Sequence, residues 1–216
     1  MHSIISIVGK SGSGKTTLLE RLIKEMSSRG YRVGIVKHSH HENDLDIAQK
    51  DTWRYTKAGS AFSAINSLDH LAIYRRVEHY FDPRELADTL LWDYDFILTE
   101  GFKGSPYPKI EVHSAAQGTE LLTDPSLLLA VVTDDPLDAA VPQYTRDDVS
   151  GIADLIEQNV RDTNGKAAIQ LIVNGAHQEL SPSQQDVLRR TMLAMVPGAG
   201  RNGGVDSLHL SLRRKQ

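Results

Sequence analysis

The chain has 216 residues with 24 lysines and arginines against 28 aspartates and glutamates, a formal charge of −4, so it lacks the basic footprint of a nucleic-acid-binding protein. It contains no cysteine, which excludes disulfides, thiolate metal sites and a cysteine nucleophile and leaves only oxygen or imidazole for any metal. No apolar run approaches the about 20 residues of a membrane span, and the amino terminus enters a strand directly, so the expectation is a soluble cytoplasmic protein with no membrane contact.

Ile4-Ile5-Ser6-Ile7-Val8 is β-branched and almost wholly apolar, as expected of a buried parallel strand. Gly9-Lys10-Ser11-Gly12-Ser13-Gly14-Lys15-Thr16 follows, a complete G-x-x-x-x-G-K-T phosphate loop. From Thr17 onward the pattern turns helical, with Leu18, Leu19, Leu22, Ile23 and Met26 on one stripe, and a glycine C-cap is expected at Gly30. A second strand over 31–37 makes a right-handed parallel unit. Residues 38–52 are polar and read as a functional loop, and a short helix over 52–57 ends at Gly59. Strands over 61–65 and 71–74 flank a turn at 66–69 and read as an inserted hairpin, followed by a helix over 83–91. Core strands are expected over 95–100, 109–112 and 127–132, and a helix over 149–160 closes the unit.

Composition shifts at 161–166. Beyond it the pattern predicts a strand over 168–173, a helix over 184–195 opened by Ser181-Pro182, and a strand over 207–212. The expected architecture is α/β: a P-loop NTPase three-layer sandwich with a mostly parallel sheet, an inserted β-hairpin and a small C-terminal β-α-β appendage. The expected domains are 1–162, binding nucleotide, and 167–216.

The phosphate loop predicts a nucleoside triphosphate as ligand. Its glycines let the backbone turn N–H groups toward phosphate oxygens, and the helix start adds the positive end of its dipole. Lys15 is expected to reach the β- and γ-phosphates and the Thr16 hydroxyl to hold Mg²⁺, with Gly9 to Thr17 forming the cradle. Such a site needs an acid at the end of a neighbouring strand, and the strand over 95–100 carries Asp95 and Glu100 at opposite ends. Five residues at about 3.3 Å each place Asp95 roughly 16 Å away on the wrong edge, so Glu100 is the expected Mg²⁺-side acid.

Lys37-His38-Ser39-His40-His41-Glu42-Asn43-Asp44-Leu45-Asp46 follows the second strand on that same edge. Its three histidines and three acids read either as a transition-metal site or as a switch loop, with Lys37 or His38 touching phosphate and Asp46 the hydrated metal; the second reading is favoured. Lys10 is read as surface charge, or as a lysine reaching across a dimer to the partner's nucleotide. Lys103 and Lys109, flanking Tyr107, read as surface charge or as receivers of an anionic second ligand. No N-K-x-D guanine signature exists; Asp134 or Asp135, after the strand over 127–132, stands where a base-reading acid would accept from guanine N1 and N2.

The phosphate loop, the K-H-x-H-H-x-x-D-x-D run at 37–46, Lys50-Asp51-Thr52 with Ala58-Gly59, and Thr99-Glu100-Gly101-Phe102-Lys103 with Pro108-Lys109-Ile110-Glu111 together closely resemble the MobB family of molybdopterin-guanine dinucleotide biosynthesis adaptors. The likeness covers about residues 1–160. It implies a GTP-binding, weakly GTP-hydrolysing homodimer, paired with the help of the inserted hairpin. It further implies action beside the guanylyltransferase that attaches GMP to molybdopterin, and contact with molybdopterin itself. Two departures stand out: Ala48-Gln49 where Pro-Gly is often found, and His113-Ser114 where an arginine commonly follows the strand. Set against this reading are a nickel-delivery GTPase, motivated by the histidines, a small-molecule kinase, motivated by the basic loop at 103–109, and a non-catalytic nucleotide sensor.

Overall fold

The computed structural model describes residues 3–39, 50–77, 80–90, 94–114, 116, 118, 120–164, 171–173, 176–178 and 180–196. They divide into two compact units, the first ending at Val160 and the second beginning at Arg161. In chain order the elements are β1 (Ser3–Val8), α1 (Lys15–Ser28), β2 (Val33–Lys37), α2 (Asp51–Lys57), β3 (Phe62–Asn66), β4 (Leu71–Arg75), α3 (Pro83–Leu90), β5 (Phe96–Glu100), β6 (Lys109–Val112), β7 (Leu128–Val132), β8 (Gln143–Tyr144), α4 (Val149–Asn164), β9 (Leu171–Val173), β10 (Ala176–Gln178) and α5 (Pro182–Ala194).

Six strands form one sheet in the order β2-β5-β1-β6-β7-β8, every neighbouring pair parallel. β1 is buried at all of its positions, which is why its sequence shows no alternation: both faces are covered. On one face Ile5, Ile7, Phe96, Leu98, Ile110 and Val132 pack with Leu18, Leu22 and Met26 of α1 and Ile152, Ala153 and Ile156 of α4. On the other, Ile4 and Ile97 meet Ala87 of α3 and Tyr107. The sheet is the middle of three layers, and each fully buried aliphatic chain contributes about 1.5–3 kcal/mol to holding them together. Two fully buried hydroxyls within the sheet bond to each other, Thr99 Oγ1 donating to Ser6 Oγ at 2.9 Å.

β3 and β4 pair antiparallel as a separate two-stranded sheet. Its turn is closed by the Ser67 amide donating to the His70 carbonyl at 2.9 Å. Phe62, Ile65, Leu71 and Ile73 of this hairpin stand at least half exposed.

In the second unit β9 and β10 pair antiparallel, and α5 opens on a capping box in which Ser181 and Gln184 bond each other's backbone, with Pro182 in the first turn. The described order is strand, strand, helix where strand, helix, strand was expected; β10 was missed because His177 and Gln178 break the apolar run that marks a strand. The predicted strand over 207–212 lies outside the described residues. Other shifts are local. α1 begins at Lys15, two residues before the expected Thr17, because Gly14 sets the turn. β2 begins at Val33, and Tyr31 instead packs edge-on against Phe96 with ring centroids 5.8 Å apart.

Candidate functional site

The phosphate loop leaves the carboxyl end of β1, in the middle of the sheet, and turns into α1. Gly14 precedes the helix at φ 91°, a left-handed conformation that costs a side-chain-bearing residue about 1–2 kcal/mol. Gly9 is required by space: a Cβ there would lie 2.4 Å from the Val112 carbonyl oxygen and 2.6 Å from Ser13 Oγ. Ser13 is fully buried and its Oγ has no hydrogen-bond partner. Ser11, Gly12, Thr16 and Thr17 are exposed, and Lys10, Gly14 and Lys15 are half-buried. The Lys15 ammonium folds back over the loop and donates to the Lys10 carbonyl at 2.8 Å.

β5 lies beside β1 in register, Ile7 opposite Glu100, and β2 lies beside β5 with Lys37 opposite Glu100. The Glu100 carboxylate therefore arrives next to the loop. Thr16 Oγ1 donates to Glu100 Oε1 at 3.3 Å, and Lys37 Nζ stands 3.8 Å from the same oxygen. Asp95, at the other end of β5, instead accepts from the Arg32 amide at 2.6 Å. Partial burial holds the Lys15 ammonium below the ordinary lysine range; Glu100 opposes this, and repulsion from Lys103 and Lys37 adds to it. Two further ammonium groups and one carboxylate thus act on Lys15, a balance suited to a polyanion.

The His38 amide donates to the Glu100 carbonyl at 3.0 Å, continuing the β2–β5 ladder by one residue. Its imidazole Nδ1 meets Tyr80 Oη at 2.5 Å, and its ring lies 5.2 Å from that of Phe102. Phe102 holds φ 55°, unusual for a bulky residue, and its ring is kept by both His38 and Tyr80, the latter centroid at 6.0 Å. Neither Tyr80 nor Phe102 was legible as a neighbour of His38, because the grouping is made by three separate segments. Asp46, His40 and His41 lie outside the described residues. Among the described residues, no group of three His, Asp or Glu side chains gathers as a metal site would.

Two expectations for the flanking lysines part company. Lys103 is exposed, but Lys109 is buried in β6, where its ammonium donates to the Ser105 and Tyr107 carbonyls and is shifted down by burial. It fastens the loop that returns from Glu100. The alternation of Lys109-Ile110-Glu111-Val112 concealed this, since all four positions are buried. Glu111 is likewise internal, its carboxylate accepting from the Leu122 and Thr123 amides at 2.9–3.0 Å.

On the other flank Asp134 follows β7 and is exposed, and Arg146, two residues past β8, brings its Nε within 2.9 Å of Asp134 Oδ2. Arg146 Nη2 donates to the His113 carbonyl at 3.1 Å. Sequence reasoning passed over Arg146, which follows a strand of two residues with no periodicity to mark it.

A parallel sheet with helices on both faces and a glycine loop opening the first helix at the carboxyl edge defines a P-loop NTPase-like fold. Residues 4–134, more than half of the chain, match the family described as "Molybdopterin guanine dinucleotide synthesis protein B" (MobB), and the chain belongs to that family. It is 36% identical to the molybdopterin-guanine dinucleotide biosynthesis adapter protein of Haemophilus influenzae over 166 residues, 75% of this chain and 92% of the relative. It is 34% identical to the protein of the same name from Escherichia coli over 171 residues, 76% of this chain and 97% of the relative. The crystal structure of Bacillus subtilis MobB superposes with a TM-score of 0.60 at 26% identity, covering 73% of this chain and 97% of that one. No helix among the described residues is long and apolar enough to cross a membrane.

Proposed function

We propose that this chain is a cytoplasmic GTP-binding adapter with slow GTPase activity that assists attachment of GMP to molybdopterin, working beside the guanylyltransferase of that step. The observation that carries the nucleotide reading is the loop between β1 and α1. A helix of 14 residues begins behind a left-handed Gly14, with Lys15 first in the helix and the Glu100 carboxylate beside Thr16. The names of the family and of the curated relatives support the pathway.

The residues present fit the ligand. The unpartnered Ser13 hydroxyl is a buried donor in want of an acceptor, and at the exposed Gly12 nothing lies within 4 Å of where a Cβ would stand, so a phosphate can approach the main chain there. Thr16 and Glu100 supply a hydroxyl and a carboxylate oxygen, the donor type that Mg²⁺ takes, and Asp46 is the further expected oxygen. Bound there, Mg²⁺ would offset phosphate charge. Lys15 and the loop amides hold and neutralise the β- and γ-phosphates, Lys37 and His38 border the γ-phosphate side, and Asp134 faces the base. Turnover is slow because the one described carboxylate at the loop, Glu100, is already engaged by Thr16 and Lys37, leaving little to activate water.

The half-exposed Phe62, Leu71 and Ile73, which share one face of the hairpin, form an apolar surface suited to a second copy of the chain. The test is competition binding of GTP and ATP with and without Mg²⁺, for the wild type and Lys15→Ala, beside phosphate release in the absence of any acceptor. GTP preference with affinity lost in the variant supports the reading. No nucleotide binding by the wild type removes it.

A further inference from the structure

We propose that Arg146 is the positioning residue for base selection, fixing Asp134 so that its carboxylate discriminates a guanine edge. This rests on the reading of the site as a guanine-nucleotide site. The sheet places β6, β7 and β8 side by side on one flank of the phosphate loop, with β5 and the Glu100 carboxylate on the other. Arg146 ties that flank together. Its Nε is 2.9 Å from Asp134 Oδ2 at the end of β7, and its Nη2 donates to the His113 carbonyl at the end of β6. Its Nη1 lies 3.0 Å from where Gly14 would carry a Cβ. One guanidinium thus spans from the phosphate loop to the acid on the base side. Its own main chain is pinned, the Arg146 carbonyl accepting from Arg21 Nη1 of α1 at 2.8 Å.

Stability does not explain the arrangement. The Asp134 side chain is 59% exposed, and an ion pair that open to water is worth little to folding. Nor is the guanidinium fully used: Nε is buried and, although close to Asp134, is out of line for a hydrogen bond, so it retains donor capacity. A rigid, always-charged fork behind a carboxylate keeps it oriented near a triphosphate that would otherwise repel it. One carboxylate oxygen facing Arg146 leaves acceptor sites for the N1–H and N2–H of guanine. Inosine lacks the 2-amino donor and adenine presents no N1–H, so both should bind less well.

The experiment measures GTP, ITP and ATP affinity by competition against a fluorescent GTP analogue for wild type, Arg146→Ala, Arg146→Lys, Asp134→Ala and the double variant. The ratio of GTP to ITP affinity is unaffected by any fraction of unfolded protein. About a tenfold GTP-over-ITP preference is expected in the wild type, the loss of one good hydrogen bond. Asp134→Ala and Arg146→Ala should each abolish it, the double variant should lose no more than either, and Arg146→Lys should recover part of it. A wild-type ratio in Arg146→Ala while Asp134→Ala has lost it overturns the role of Arg146. An unchanged ratio in Asp134→Ala overturns base reading by Asp134 and this inference with it; GTP binding that still depends on Lys15 would then leave the nucleotide reading intact.

Discussion

Thr16 Oγ1 and Glu100 Oε1 lie 3.3 Å apart although 84 residues separate them in the chain. The contact exists because β5 sits directly beside β1 in register, so the acid at its carboxyl end and the first turn of α1 meet. Glu100→Gln keeps the shape and removes the charge. The gain in GTP affinity on adding Mg²⁺ should fall by about 10–100-fold, as when a group orienting a metal's shell is removed. A Mg²⁺ dependence identical to the wild type in a calorimetric titration would exclude Glu100 from that role.

Gly9 and Gly12 make a contrasting pair within one loop. A Cβ at Gly9 meets the Val112 carbonyl at 2.4 Å, whereas at Gly12 nothing lies within 4 Å and only the positive φ resists substitution. Gly9→Ala should cost about 1–3 kcal/mol of stability and abolish nucleotide binding, by backbone displacement in a packed site. Gly12→Ala should cost no more than about 1–2 kcal/mol. Thermal unfolding and GTP titration of both variants check this; equal effects would show that space at Gly9 is not the constraint.

The elements that hold the site were legible where sequence repeats a physical rule. β1, the glycine loop and α1 follow from an apolar run, a turn and a helical stripe. Glu100 followed from strand length alone, because only one end of β5 can face the loop. Lys109 was misread because nothing in a four-residue strand tells that a lysine is interior; its ammonium is met by the Ser105 and Tyr107 carbonyls of the loop before it. Arg146, Tyr80 and Phe102 were missed for the related reason that their partners are brought from distant segments and carry no local period.

Arg29 joins α1 to α4. Its guanidinium meets Asp154 at 2.6 Å, Glu25 at 2.8 Å and Glu157 at 3.2 Å, and these carboxylates hold it above its already high ordinary pKa. Arg29→Ala leaves the three acids facing one another, so a loss of about 1–3 kcal/mol is expected in urea unfolding. Additional Asp154→Asn should recover part of it by relieving repulsion. A neutral Arg29→Ala would mean that the apolar contacts between the two helices suffice.

Tyr107 is buried beneath α3 and donates to the Asp82 carboxylate. Burial first, then the bond to and charge of Asp82, push its hydroxyl up to about 12 from the ordinary 10. The folded state therefore keeps the proton where the unfolded chain releases it. Stability from this group is complete below pH 10 and is lost as pH rises from 10 toward 12. Chemical denaturation at pH 9 and pH 11 should show a larger loss for the wild type than for Tyr107→Phe; equal losses would place the alkaline sensitivity elsewhere.

Leu71 and Ile73 share one face of the hairpin and are 63% and 52% exposed. If this face pairs two copies, Ile73→Glu should turn the dimer into a monomer in sedimentation velocity, since burying an unpaired carboxylate costs far more than the contact returns. A wild-type chain that sediments as a monomer at micromolar concentration sinks the pairing.

The His38 amide is bonded to the Glu100 carbonyl, one step beyond the Lys37–Glu100 register. The two polypeptide exits from β2 and β5 consequently leave the sheet shoulder to shoulder, clasped by a main-chain bond. The acid at the phosphate loop and the His38 main chain are thereby held side by side at the edge of the sheet.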